Sequence, residues 1–149
     1  MKVLGVERSK LWGVLGKWMP ARPALFENPV RVVNIMRGSE LACLVEVADR
    51  GARRRKGLLG RDGLAPGEGL WIVPCEAVHT FGMRFAIDLV YLNRAKRIVK
   101  IRHCVPPGRI SGCLTAHSVL ELRAGSVAAS QAAVGDQLAF EPAIPSSGP

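Results

Sequence analysis

The chain is poor in aromatic residues: they make up 5% of its 149 positions, with a single tyrosine. Nucleic-acid bases stack on aromatic faces, so this scarcity argues against a single-stranded DNA or RNA platform. Trp12, Trp18 and Trp71 also lie outside the strongest basic cluster. Long apolar runs are missing as well, and none approaches the roughly 20 residues of a spanning helix. The start of the chain is basic, but Gly13, Gly16 and Lys17 interrupt its apolar character, so no secretory signal is read there. The sequence does not assign a compartment, and both a cytoplasmic and an envelope-associated location are kept as expectations. Gly57, Gly60 and Gly63 lack the Lys-Ser/Thr of a Walker loop, and no G-x-G-x-x-G occurs. Nor is there a G-x-S-x-G, which removes the nucleophile elbow of serine hydrolases. Acids are few, 12 against 21 lysines and arginines. Asp88, Glu121 and Asp136 are far apart in sequence and form no ready carboxylate pair for glycoside chemistry.

What is present begins with a net charge of +9 and a pI near 10.1. Such a charge attracts anionic partners without naming them. With 48% hydrophobic and 22% charged residues the composition is that of an ordinary globular chain. A chain of this length builds a core without staples, so Cys43, Cys75, Cys104 and Cys113 are not needed as disulfides.

The densest apolar stretch is CEAVHTFGMRFAIDLVYL, residues 75–92. Within it, 85–92 is apolar except for Asp88, which fits a strand buried on both faces. Further strands are expected at 30–36, 41–48, 70–73, 97–102, 118–122 and 137–140, with 93–96 as a hairpin turn. A short helix is expected after Asp49, with that residue as its cap, and a helical turn over 126–133. The fold class is therefore mainly β, a β-rich α+β domain. Its antiparallel sheet folds into a barrel or sandwich with one or two short helices. Residues 1–29 read as an N-terminal extension and linker, 30–141 as the domain, and 142–149 as a Pro/Ser-rich disordered tail. Within the extension, residues 1–19 could form a basic amphipathic segment that touches a membrane surface, although three glycines weaken it.

Polar residues inside apolar strands mark the candidate site. A buried carboxyl at Asp88 must be paired, hydrogen-bonded or protonated. Arg84 is about 13 Å away along one extended strand, too far to supply that partner directly. A structural Asp88 held by backbone N–H groups is the plainer reading, and a ligand-binding cluster is the functional one. The cluster would comprise Arg61, His79, Thr80, Met83, Asp88 and Glu121, beside an apolar pocket. Arg53, Arg54, Arg55 and Lys56 form a separate patch for anions or a protein partner, or else a plain solvated face. No cofactor is required, but Cys75-x3-His79 and Cys113-x3-His117 hold donors suited to zinc. Cys75 or Cys113 with one of these histidines is also the residue pair of a cysteine nucleophile. The leading function is a non-catalytic binding or accessory module for an unknown ligand or protein partner. The alternatives are a zinc-dependent or cysteine-nucleophile enzyme, and an electrostatic binder of anions through 53–56.

The blocks VEVADRGARRRKGLLGR (45–61), CEAVHTFGMRFAIDLVYL (75–92), VLELRAG (119–125) and VGDQLAF (134–140) resemble, in order and spacing, the domain of unknown function 192 family. The resemblance covers about residues 43–141. It implies a compact β-rich single domain of a bacterial and archaeal family, often in exported or envelope settings, and it implies no reaction or cofactor. The family's recurring polar positions fall on Arg61, Thr80, Asp88 and Glu121, and its turn glycines on Gly57, Gly125 and Gly135. Two positions depart from the pattern: Asn93-Arg94-Ala95-Lys96 replaces an acidic-glycine turn, and Ala86 stands where a proline is usual.

Overall fold

The structure, a computed structural model, describes residues 28–143. The basic segment expected within 1–19 and most of the expected tail lie outside them. Among the described residues, nine strands and two short helices follow in order: β1 (Val30–Asn34), β2 (Ser39–Ala48), α1 (Gly51–Lys56), β3 (Glu68–Ile72), β4 (Ala77–His79), β5 (Ile87–Leu92), β6 (Ile98–Val105), β7 (Ile110–Gly112), β8 (Ser118–Arg123), α2 (Ser126–Ser130) and β9 (Leu138–Pro142). Seven strands form one sheet in the order β6-β5-β8-β3-β2-β1-β9, and β4 pairs with β7 in a second, small sheet. All neighbours in the large sheet are antiparallel except β2 and β3. Those two are joined through α1, the longer connection that parallel strands need.

The large sheet curls until its two edges meet at one end. Arg97 bridges Gln137, and the N–H of Leu138 donates to the Lys96 carbonyl at 3.0 Å. The sheet is therefore a half-barrel, the closed-up β fold that the sequence implies. Inside the curl, Val32, Val45, Val90, Leu92, Ile98, Leu120, Leu122 and Leu138 pack together, from both edges and the middle of the sheet. Val127 of α2 plugs this core. The outer face is also apolar, with Leu70, Ile72, Ile87, Leu89, Tyr91 and Val119 beneath Leu58, Leu64 and Met83. Burying one such side chain contributes about 1.5–3 kcal/mol. A sheet covered on both faces explains why every residue of β5 is buried.

Particular contacts seat the covering pieces. The single tyrosine, Tyr91, donates its hydroxyl to Ser111 Oγ at 2.8 Å, pinning β7 to the outer face. Thr80 donates to the Pro106 carbonyl at 2.7 Å and accepts from the Arg109 N–H at 2.8 Å, clipping the end of β4 to the loop before β7. The helix after β2 forms where expected, but Arg50 caps it and makes no side-chain cap bond, so Asp49 is not the cap. Among the described residues no helix is long and apolar enough to cross a membrane.

Candidate functional site

The register of β5 against β8 decides which polar residues can meet. Asp88 stands opposite Leu122, and Leu89 opposite Glu121. Side chains alternate between faces, and directly opposed residues share one. Leu122 belongs to the inner core and Leu89 to the outer one. Asp88 therefore points into the curl and Glu121 out of it, on opposite sides of the sheet.

Asp88 is fully buried and fully employed. Its carboxylate accepts from the backbone N–H groups of Cys104 (2.8 Å), Gly125 (3.1 Å) and Val127 (3.0 Å). It ties the end of β6 and the start of α2 to the central strand, which is the structural reading of this residue. Arg84, as its distance required, does not reach it and pairs with Asp62. Thr80 is spent on its loop clip. The expected convergence of Arg61, Thr80, Asp88 and Glu121 is thus divided, because strand register and loop bonds assign Asp88 and Thr80 elsewhere.

On the outer face, Glu46, Leu70, Glu121 and Leu89 stand side by side across β2, β3, β8 and β5. Two buried acids flank one leucine and meet different fates. Glu46 holds Arg61 at 2.6 Å and Arg53 at 3.3 Å. Glu121 receives neither. Its Oε2 is buried with no hydrogen-bond partner among the described residues. Burial pushes the Glu121 carboxyl up to about 7, with the Arg61 charge pulling weakly the other way. An acid so placed is about half protonated at neutrality, and its protonated form can either donate or accept.

Glu121 opens onto a cavity of about 410 Å³. Leu58, Leu59, Ile72, Val78 and Met83 make its apolar walls, and Arg54, Arg55, Lys56, Gly57, Cys75, Ala77 and His79 complete the lining. A second, smaller cavity of about 230 Å³ lies over the Glu46–Arg61 pair. Burial separates floor from rim in the larger one: Glu121, Leu58, Ile72 and Met83 are buried, whereas Arg55, Lys56 and His79 are exposed. Gly57 ends α1 with φ of +50° and lies where a Cβ would stand 3.9 Å from Glu121 Oε2. Glycine there takes the turn at low strain and puts no side chain against the carboxyl. Arg54, Arg55 and Lys56 form no ion pair among the described residues, unlike Arg53. His79 stacks on Phe81, ring centroids 5.6 Å apart, at the exposed lip.

Of the residues singled out in sequence, Glu121, His79 and Met83 line this cavity together with Arg54, Arg55 and Lys56. Arg61 stands next door on Glu46. Sequence reasoning missed Glu46, whose burial between apolar neighbours on β2 was the available signal. It also missed β4, whose Ala77 and Val78 form part of the wall.

The donors named for zinc do not assemble. Among the described residues no three of His, Cys, Asp or Glu form a group that could hold a metal ion. Extended backbone through β4 carries Cys75 and His79 apart. Each cysteine has a local partner: Cys75 donates its thiol to the Ala77 carbonyl, and Cys113 lies 3.3 Å from Thr115 Oγ1. Burial also pushes the Cys75 thiol up, away from the thiolate that a nucleophile needs.

Two solved structures share this fold. A candidate transcription regulator from Sinorhizobium meliloti 1021 aligns with a TM-score of 0.66 and 25% identity, over 74% of this chain and 91% of its own. A protein of unknown function from Novosphingobium aromaticivorans DSM 12444 aligns with a TM-score of 0.65 and 22% identity, over 74% and 83%. No curated protein matches the chain. Residues 32–140, from β1 through β9, match the model of DUF192, described as an uncharacterized ACR, and the chain belongs to that family.

Proposed function

We propose that the domain is a binding module whose outer-face cavity receives part of a ligand. The supporting observation is Glu121, a buried carboxyl with an unpartnered oxygen at the floor of an apolar-walled cavity. Leaving a buried polar atom unpaired costs about 1–3 kcal/mol. A ligand that brings a hydrogen-bond donor to it recovers that energy on binding. The walls ask for an apolar body above the donor, and the cavity volume lies within the range of small-ligand sites. Arg54, Arg55 and Lys56 of α1, without an ion pair among the described residues, favour a negative group at the rim. The ligand class is therefore an amphipathic acid with a donor at its far end.

Thermal-shift titration with medium-chain ω-hydroxy and ω-amino carboxylic acids tests this reading, with the plain alkanoic acids as controls. The donor-bearing acids should stabilise the protein more, and Glu121→Leu should abolish that preference. Equal response to both sets, or the same preference in the variant, would remove the basis of the proposal.

A further inference from the structure

The cavity has a wall that a small acid would leave unused. Antiparallel strands alternate hydrogen-bonded and non-bonded residue pairs. Between β4 and β7, the N–H of Cys113 donates to the Glu76 carbonyl and that of Thr80 to the Arg109 carbonyl, both at 2.8 Å. In the same register Ala77 faces Gly112, Val78 faces Ser111, and His79 faces Ile110. Parity then makes Val78 a bonded position and Ala77 and His79 non-bonded ones. The N–H and C=O groups of Ala77 and His79 point away from β7. Among the described residues no strand pairs with that edge, and the Ala77 carbonyl takes only the Cys75 thiol, at 3.2 Å. Ala77, Val78 and His79 all line the cavity, so the strand that carries this open edge is one of its walls.

An open edge of this kind is completed by an extended chain. The other groups around the cavity narrow which part of a chain. Arg54, Arg55 and Lys56 bring three positive charges to the rim with no acid on them among the described residues. Every free peptide C terminus carries a carboxylate, whereas an internal segment carries one only where it holds Asp or Glu. Below the edge, Leu58, Ile72 and Met83 surround the approach to Glu121, which suits a side chain with a long apolar stem and a donor tip. Lysine and tyrosine have that form. A three-residue edge spans about 10 Å, so contact is confined to the last few residues of the partner.

We infer that the cavity holds the C-terminal end of an extended peptide. The peptide adds to the outer edge of β4, sets its terminal carboxylate against Arg54, Arg55 and Lys56, and directs one donor-tipped side chain to Glu121. This rests on the binding reading above and names its ligand class.

The test uses the full chain and a fluorescein-labelled pool of octapeptides with free C termini, randomised over the last three positions and read by anisotropy. Bound members should be enriched in Lys or Tyr. Amidating the terminus, or N-methylating the residue that pairs with the β4 edge, should each weaken binding roughly tenfold. The surface triple variant Arg54→Ala, Arg55→Ala, Lys56→Ala should weaken the free-acid peptide and not the amidated one. Binding that ignores both modifications, or no binding by any member, overturns the inference. If ω-hydroxy acids still act through Glu121, the peptide inference alone falls; if neither probe binds, the binding reading falls with it.

Discussion

Replacing Glu121 by glutamine removes a buried acid whose Oε2 has no hydrogen-bond partner among the described residues, and the consequence for stability follows from its proton. In the unfolded chain this carboxyl titrates near its ordinary 4.5; in the native protein burial pushes it up to about 7. Between those values the native state keeps a proton that the unfolded state releases. Stability is therefore greatest below about pH 4.5, falls as pH rises through the window, and the loss is complete above about 7. At 1.36 kcal/mol per pKa unit, the total is on the order of 3 kcal/mol. Glu121→Gln keeps the shape and hydrogen-bonding capacity but cannot ionise. The variant should lie within about 1 kcal/mol of the native protein near pH 5 and exceed its stability by about 2–4 kcal/mol at pH 8. Urea unfolding at half-unit steps from pH 5 to 8.5 resolves this, with the slope against urea confirming that the surface exposed is unchanged. Parallel stability curves for the two proteins over that range would refute the reasoning, since they would mean that Glu121 ionises as readily folded as unfolded.

Further outcomes follow from other contacts. Asp88→Ala strands the backbone N–H groups of Cys104, Gly125 and Val127 and should destabilise the fold by about 3–5 kcal/mol in chemical denaturation, with loss at the α2 end first in hydrogen exchange. Gly69→Ala places a Cβ 2.8 Å from Leu122 Cδ2 and 2.9 Å from the Glu121 carbonyl, so thermal unfolding should show a cost of about 1–3 kcal/mol. The carboxyl of Asp136 is held down at about 2, chiefly by its hydrogen bond from Arg37 and then by Asn34 and the Ala133 N–H. Its stabilisation is present above about 3.8 and lost as pH falls toward 2. Asp136→Asn should lower the melting temperature at pH 6 and flatten the acid limb of the stability profile.

How much of this was legible in the sequence depends on what each feature needed. The apolar run at 87–92 declared a doubly covered strand because all its neighbours in the chain agree. The helix after β2 was expected from Asp49 as a cap, and it forms one residue further on, behind Arg50; the helical turn near 126 forms over Ser126–Ser130. By contrast, β4 and β7 are three residues each, and β7 sits in a Pro/Gly-rich connection, too short for a period to show. The polar residues were visible as oddities in apolar strands, but their grouping was not. Whether Asp88 and Glu121 meet depends on which residue of β8 stands opposite each residue of β5, and pairing across 30 residues of chain leaves no mark in either strand alone. The same limit hid the division of labour on the outer face. Nothing local says that Arg61 and Arg53 go to Glu46 and leave Glu121 bare.

The most direct measurement is a carbon-13 NMR titration of the Glu121 side-chain carboxyl, assigned by its loss in Glu121→Gln. A midpoint near 7 is expected, with a further shift when the donor-bearing acid or peptide fills the cavity. A midpoint near the ordinary 4.5, unmoved by any ligand, would show a solvated carboxylate and contradict the site described above.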